Sequence, residues 1–304
     1  MNGRAALMSA AGLGLLLTAG CGTISEYSEF PGSDEAVERA LKESLTLYAS
    51  FDAGLDADFA NGDGTLYSAP SSRERNAGQG NPGLPEEGHV EALPGQGRFG
   101  GALRWTKKAK PVVFYRGPEN MGYKTNDWAA SVSLWMRINP DEQLEPGYCD
   151  PFQFVGEEWS GGSFFIEFTK ENPRHFRFVQ MAITEIWNPT GAKYEEIPLG
   201  QRPLVQVENP PFSSDSWTHV VFTFEHANTG KRDGIGKLYL NGEYKGAIVG
   251  FNSMLDWTPV KTAINLGLNY IGDLDDIAVF DRALTAEEAT FIHDEGESIG
   301  ELLD

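Results

Sequence analysis

Tyr270-Ile-Gly-Asp-Leu-Asp-Asp-Ile-Ala-Val-Phe-Asp-Arg-Ala-Leu-Thr-Ala-Glu-Glu-Ala289 is the stretch on which the fold turns. Leu274 to Phe280 reads as a strand that ends at Asp281-Arg282. A short helix follows with a marked start. Thr285 stands at the N-cap and Glu288 three residues on, so that each side chain can satisfy the other's backbone N–H. Leu284 and Ala289 are spaced to form a hydrophobic staple.

Working outward, other runs share the strand character. Trp128 to Ile138 alternates with period 2: Val132, Leu134, Met136 and Ile138 on one face, Ser131, Ser133, Trp135 and Arg137 on the other. The first set is expected in the core and the second on an outer face. Ser163–Thr169 sets Phe164, Ile166 and Phe168 against Phe165 and Glu167. Arg174–Met181 sets Phe176 and Phe178 against His175 and Arg177. Lys237-Leu-Tyr-Leu-Asn-Gly-Glu-Tyr-Lys245 is a hairpin, because Asn241-Gly242 tolerates the positive φ angles of a type I′ turn. Further strands are expected at Leu45–Asp52, Gly97–Trp105, Pro111–Tyr115, Trp217–Phe224 and Ala263–Leu268. Residues 70–97 and 187–211 read as long surface loops.

Taken in chain order, these motifs resemble laminin-G-like domains of the concanavalin A-like jelly-roll class. They are Gly-x-Phe-Gly-x-Ala-Leu at 97–103, the Ser-x-Trp strand at 133–135 with Trp-x-His-Val at 217–220, the Leu-Tyr-Leu-Asn-Gly turn at 238–242, and the closing stretch quoted above. The resemblance runs from Leu45 to about Ile292. It implies an all-β sandwich of two antiparallel sheets, with short N- and C-terminal helices. These motifs build a fold and specify no reaction.

Plentiful glycine and proline and few helical stretches agree with an all-β chain. The net charge of −20 repels phosphate backbones and sets nucleic acid aside as a partner. Residues 1–20 form a targeting segment: Arg4, an apolar run from Ala5 to Leu17, then Leu17-Thr-Ala-Gly-Cys21. The last resembles a bacterial lipobox, which implies lipidation of Cys21; an ordinary signal peptide is the alternative. Residues 21–32 follow as a tether, 33–44 as a flanking helix and 45–295 as the sandwich domain. The expected location is the bacterial cell envelope, anchored to a membrane only through lipid. Cys149, the one other cysteine, has no intramolecular partner in that reading, so a disulfide scaffold is excluded.

The paired acidic strand motifs of concanavalin-type hydrolases are absent, as are a Gly-x-Ser-x-Gly elbow and a His-Glu-x-x-His helix. Carbohydrate binding is the leading expectation, because sugars are held by aromatic faces flanked by hydrogen-bonding groups. The candidates are Trp135, Arg137, Glu167, His175 and Arg177, on non-core strand faces and expected on one surface. A glycan or glycoprotein is the expected partner. A polysaccharide-degrading enzyme and a scaffold of an envelope complex are the alternatives. Asp52 and Asp275 resemble positions that hold a structural calcium ion in some members of the family. The acidic run from Asp52 to Gly64 is either a second oxygen-rich cation loop or a solvated turn.

Overall fold

The computed structural model describes residues 34–303. Cys21, the targeting segment, the tether and Ser33 lie outside the described residues. Two antiparallel sheets face each other across one core. The first sheet has nine strands. Its main path is Glu243–Phe251, Gly234–Leu240, Thr218–Ala227, Trp128–Arg137, Gly272–Phe280, Leu45–Ala49 and Phe59–Ala60. Leu103–Trp105 also pairs with Gly272–Phe280, and Val90–Ala92 pairs with Leu103–Trp105. The second has eight, in the order Leu204–Val207, Phe176–Met181, Ser163–Phe168, Cys149–Val155, Ala263–Leu268, Val112–Arg116, Tyr67–Ala69 and Asn81–Pro82. This is the expected jelly-roll sandwich.

The alternation worked as anticipated on the inner faces. Val132, Leu134, Met136, Phe164, Ile166, Phe176 and Phe178 all join the inter-sheet core. At its centre Trp128 is fully buried among the rings of Phe154, Phe164, Phe224 and Trp257. The closing strand breaks period 2 at Asp275-Asp276. Its register against Trp128–Arg137 shifts between Asp275 and Ala278, and Asp276 has φ 49°. This bulge lets Leu274 and Ile277, three apart, both reach the core.

The recurrent motifs prove to be joints. Thr285 Oγ1 accepts from the Glu288 N–H at 3.2 Å, and Glu288 Oε2 accepts from the Thr285 N–H at 2.8 Å. The Arg282 guanidinium closes on the same Glu288 at 2.7 and 2.8 Å. Ser131 Oγ donates to the Arg282 carbonyl and accepts from the Leu284 N–H, both at 2.8 Å, which ties the helix start to the adjacent strand. His219 N–H donates to Asn241 Oδ1 at 2.9 Å, at a turn whose φ angles are 51° and 73°.

One strand was not anticipated, and two expected loops carry elements of their own. Cys149–Val155 is a central strand of the second sheet, although Pro151 argues against one. The pairing with Ser163–Phe168 skips between Ile166 and Phe168, so the proline falls at an irregularity in the ladder. The 70–97 loop holds a helix, Ser72–Asn76, and the strands Asn81–Pro82 and Val90–Ala92. The 187–211 insertion supplies the strand Leu204–Val207 at the end of the second sheet.

The outer face of the first sheet is not open. The helices Asp34–Ser44, Ala286–Glu295 and Ile299–Leu303 lie over it, and Leu41, Phe280, Leu284, Ile292 and Ile299 pack there with Tyr48 and Tyr239. Among the described residues no helix is long and apolar enough to cross a membrane.

Candidate functional site

The outer face of the second sheet carries a cleft, with a cavity of about 730 Å³. Gln153, Val155, Ser163 and Leu268 lie along the sheet, Arg73 and Asn76 come from the 72–77 side, and the 156–162 loop and Lys261 stand opposite. Two small apolar clusters flank the area. Phe165, Val179 and Met181 are packed by Trp187, Tyr194 and Leu204, and Val112, Phe114, Val155 and Ala263 form the other.

A chain of polar side chains crosses the sheet between them. Arg75 Nη1 donates to Asn265 Oδ1 at 2.9 Å, Asn265 Nδ2 to Gln153 Oε1 at 3.0 Å, and Gln153 Nε2 to Asp150 Oδ2 at 2.5 Å. Beyond Asp150, Arg177 Nη1 meets Glu167 at 3.1 Å, and its Nε donates to Gln206 at 2.7 Å. Burial pushes the Glu167 carboxyl up to about 7, outweighing Arg177, and burial with the Glu167 charge holds that of Asp150 well above the usual carboxylate range. Burial lowers the Arg75 guanidinium to about 10.

The 156–162 loop is fixed at both ends. Arg75 Nη2 donates to the Gly156 carbonyl at 2.9 Å and Asn76 Nδ2 to the Glu157 carbonyl. Trp257 Nε1 donates to the Gly162 carbonyl at 3.0 Å. Glu157 also pairs with Lys261. From this held loop Trp159 projects with 56 % of its surface exposed, its ring 5.5 Å from Phe165. A large aromatic ring kept in water on an anchored loop, beside amide, guanidinium and carboxylate groups, is suited to stacking on the apolar face of a sugar while its hydroxyls are hydrogen-bonded.

The structure divides the residues expected to share one surface. Trp135 and Arg137 belong to the first sheet, Glu167 and Arg177 to the second, and His175 directly precedes the second-sheet strand Phe176–Met181. Trp135 is only 3 % exposed. It stacks on His219 at 4.8 Å and on His293 at 5.9 Å, meets Phe99 edge-on at 5.6 Å, and lies under the Arg98 guanidinium. No face of its ring is left for a sugar, because the helix carrying His293 and the 97–101 loop cover it. Arg137 pairs with Asp273 and lies over Trp217. Glu167 and Arg177 are a buried ion pair, and His175 Nδ1 lies 2.9 Å from the Glu208 carbonyl. Period 2 separates the two faces of a strand. It does not say which sheet the strand joins or what lies over it.

Asp52 and Asp275 do come near one another, around one loop. Asp52 Oδ1 accepts from Gly101 N–H at 2.5 Å. Asp275 Oδ2 accepts from the N–H groups of Arg98 and Phe99 at 2.5 and 3.2 Å, and its Oδ1 from Asp276 N–H at 2.7 Å. A Cβ at Gly100 would overlap the Asp52 carboxylate, which accounts for the glycine there. Both carboxylates thus serve as loop clamps. Among the described residues no group of three or more His, Cys, Asp or Glu is placed to hold a metal ion.

Trp159, Gln153, Arg73 and Asn76 were not singled out from the sequence. The one signal was a tryptophan in a short run between Gly156 and Gly161-Gly162, in front of the strand Ser163–Phe168.

The architecture defines a concanavalin A-like jelly roll. The chain belongs to the laminin-G-like family described as the concanavalin A-like lectin/glucanases superfamily, which it matches over residues 119–290. No curated protein matches it. Among solved structures it is similar to the receptor-binding domain of botulinum neurotoxin C/D mosaic serotype (11 % identity, TM-score 0.53, covering 84 % of this chain and 52 % of that one). It is also similar to the binding domain of Paraclostridial mosquitocidal protein 1 (14 %, 0.50, 84 % and 53 %). Domain 4 of an extracellular arabinanase from Geobacillus stearothermophilus, solved with arabinotriose, matches with 19 % identity, TM-score 0.45, and 81 % and 97 % coverage. The chain spans about half the length of the two toxin domains.

Proposed function

We propose that this protein is a glycan-recognition module whose binding cleft lies on the outer face of the second sheet. The observation that carries the reading is Trp159, exposed on a loop anchored by Arg75, Asn76 and Trp257 and flanking a cleft lined by Gln153, Asn76 and Arg73. Family membership supports the same class. The proposal places the module in the bacterial cell envelope, held to a membrane through lipid on Cys21.

Hydrolysis is the competing reading, since Asp150 and Glu167 bring two carboxylates together from neighbouring strands. At 8 % and 5 % exposure, tied to Gln153 and Arg177, they are closed to a glycosidic oxygen. Binding is therefore the reading held here.

The test is a glycan-array screen of residues 22–304, followed by calorimetric titration with the best oligosaccharide. Trp159→Ala should weaken that binding by about 1–3 kcal/mol, by analogy with other ring-stacking contacts, while the fold is retained. Wild-type affinity in Trp159→Ala, or no glycan bound at all, refutes the proposal.

A further inference from the structure

A second cavity, of about 580 Å³, opens on the first sheet. Its charged floor is a row of cross-strand neighbours. Asp273 lies opposite Arg137 on one side and opposite Arg104 on the other. Asp273 is almost wholly buried and both guanidinium groups close on it. Arg104 donates through Nε and Nη2 at 2.7 and 2.9 Å, and Arg137 through Nε and Nη2 at 2.9 and 2.7 Å. The second Nη2 hydrogen of Arg137 goes to the Gln96 carbonyl at 3.0 Å. Its Cζ lies over the Trp217 ring, 4.5 Å from the centroid.

A guanidinium has five N–H donors. Arg104 spends two of its five here and Arg137 three, so five N–H groups of the pair donate to nothing among the described residues. One arginine would neutralise Asp273. The second leaves one positive charge in excess inside the cavity. Glu91 lies opposite Arg104 on its far side and its charge acts on that guanidinium, but it does not line the cavity, so the excess belongs to the lining alone. The remaining walls include Gln96, Gln143, Thr106 and Ser214, all able to hydrogen-bond hydroxyls.

We propose that this cavity binds the carboxylate of a uronic-acid residue in an acidic saccharide. The planar forks fit the two coplanar oxygens of a carboxylate, and a monoanion matches the single excess charge. The volume suits a sugar residue held by amides and hydroxyls. The site lies on the other sheet from the Trp159 cleft and does not depend on it.

The probe is a galacturonate trisaccharide titrated calorimetrically into residues 22–304 at low salt. Maltotriose and a sulfated galactose oligomer serve as comparisons. The trigalacturonate should bind at least about tenfold more tightly than either, since charge-assisted bonds are at stake. Ser214→Glu places a negative charge at the exposed rim without touching the ion row, and should weaken binding at least about tenfold with an unchanged melting curve. Arg104→Gln should weaken binding as much, at some cost in melting temperature because it takes two donors from buried Asp273; if it fails to fold, Ser214→Glu alone decides. No binding of the trigalacturonate, equal binding of maltotriose, or wild-type affinity in folded Ser214→Glu overturns the proposal. Binding of the sulfated oligomer alone overturns the carboxylate assignment.

Discussion

Replacing Asp276 by asparagine should make the protein more stable at pH 8 and flatten its pH dependence. Asp276 is buried in the bulge of the closing strand. Its Oδ1 accepts from the Tyr48 hydroxyl at 2.5 Å and its Oδ2 from the Ile299 N–H at 3.2 Å. Burial pushes its carboxyl from 3.8 up to about 7 despite these donors, with Asp52 and Asp58 adding to the rise. A folded-state value above the unfolded one means that the folded state holds the proton through the intervening window. The associated stability is present at low pH and lost as pH rises through about 7. Between pH 5 and pH 8 one such group removes roughly 2–3 kcal/mol, which in a domain of this size is roughly 5 °C in Tm.

Asparagine can accept from Ile299 through its oxygen and donate to the Tyr48 oxygen through its amide. The variant should therefore keep the contacts and lose the penalty. It should also relieve Asp275, likewise raised to about 7, first by burial and then by the Asp276 charge. His219 pulls the other way. Burial lowers it to about 3, so its unfolded-state protonation costs about 2 kcal/mol at pH 5. For that reason the difference between wild type and variant is the quantity to measure, by thermal unfolding at several pH values in that window. A variant with the wild-type slope, or one less stable than wild type at pH 8, would refute the reasoning.

Thr285→Ala removes the hydroxyl that accepts from Glu288 N–H, and should cost about 1 kcal/mol, read as a Tm lowered by roughly 2 °C; an unchanged melting curve would show that the cap contributes nothing. Calcium and chelator should leave Tm alike, because amide N–H groups already occupy the oxygens of Asp275 and Oδ1 of Asp52. A calcium-dependent rise that disappears in both Asp52→Ala and Asp275→Ala would instead establish the ion expected from the family resemblance. Trp128→Ala should cost about 3–5 kcal/mol by opening a cavity among four aromatic rings, and a smaller loss would mean that the core collapses around the gap.

Much of the fold was legible because its signals are local. A capping box, an Asn-Gly turn and period-2 alternation each act within a few residues, and each appears where it was read. Cys149–Val155 was missed because Pro151 is a local argument against a strand, while the irregular pairing that tolerates it belongs to a neighbouring chain segment. The site was less legible. Trp135 looked like an outward aromatic on its own strand, and only tertiary packing puts His293 and Phe99 against it. Asp150 and Glu167 act on each other from two strands whose ladder is irregular at that point, so no motif on either strand reveals it. Trp159 lies in a loop, where periodicity has nothing to say.

The place of the closing strand has a kinetic consequence. Gly272–Phe280 pairs with Leu45–Ala49, Leu103–Trp105 and Trp128–Arg137, all far upstream. During synthesis the first sheet lacks its middle until nearly the whole domain has been made. Contacts of such long sequence separation put the chain among slow folders, whose rate is limited by loop closure. Ending the chain before residue 272 would leave Leu45–Ala49 and Trp128–Arg137 as two unpaired edges flanking an absent strand, a species prone to associate with its own copies.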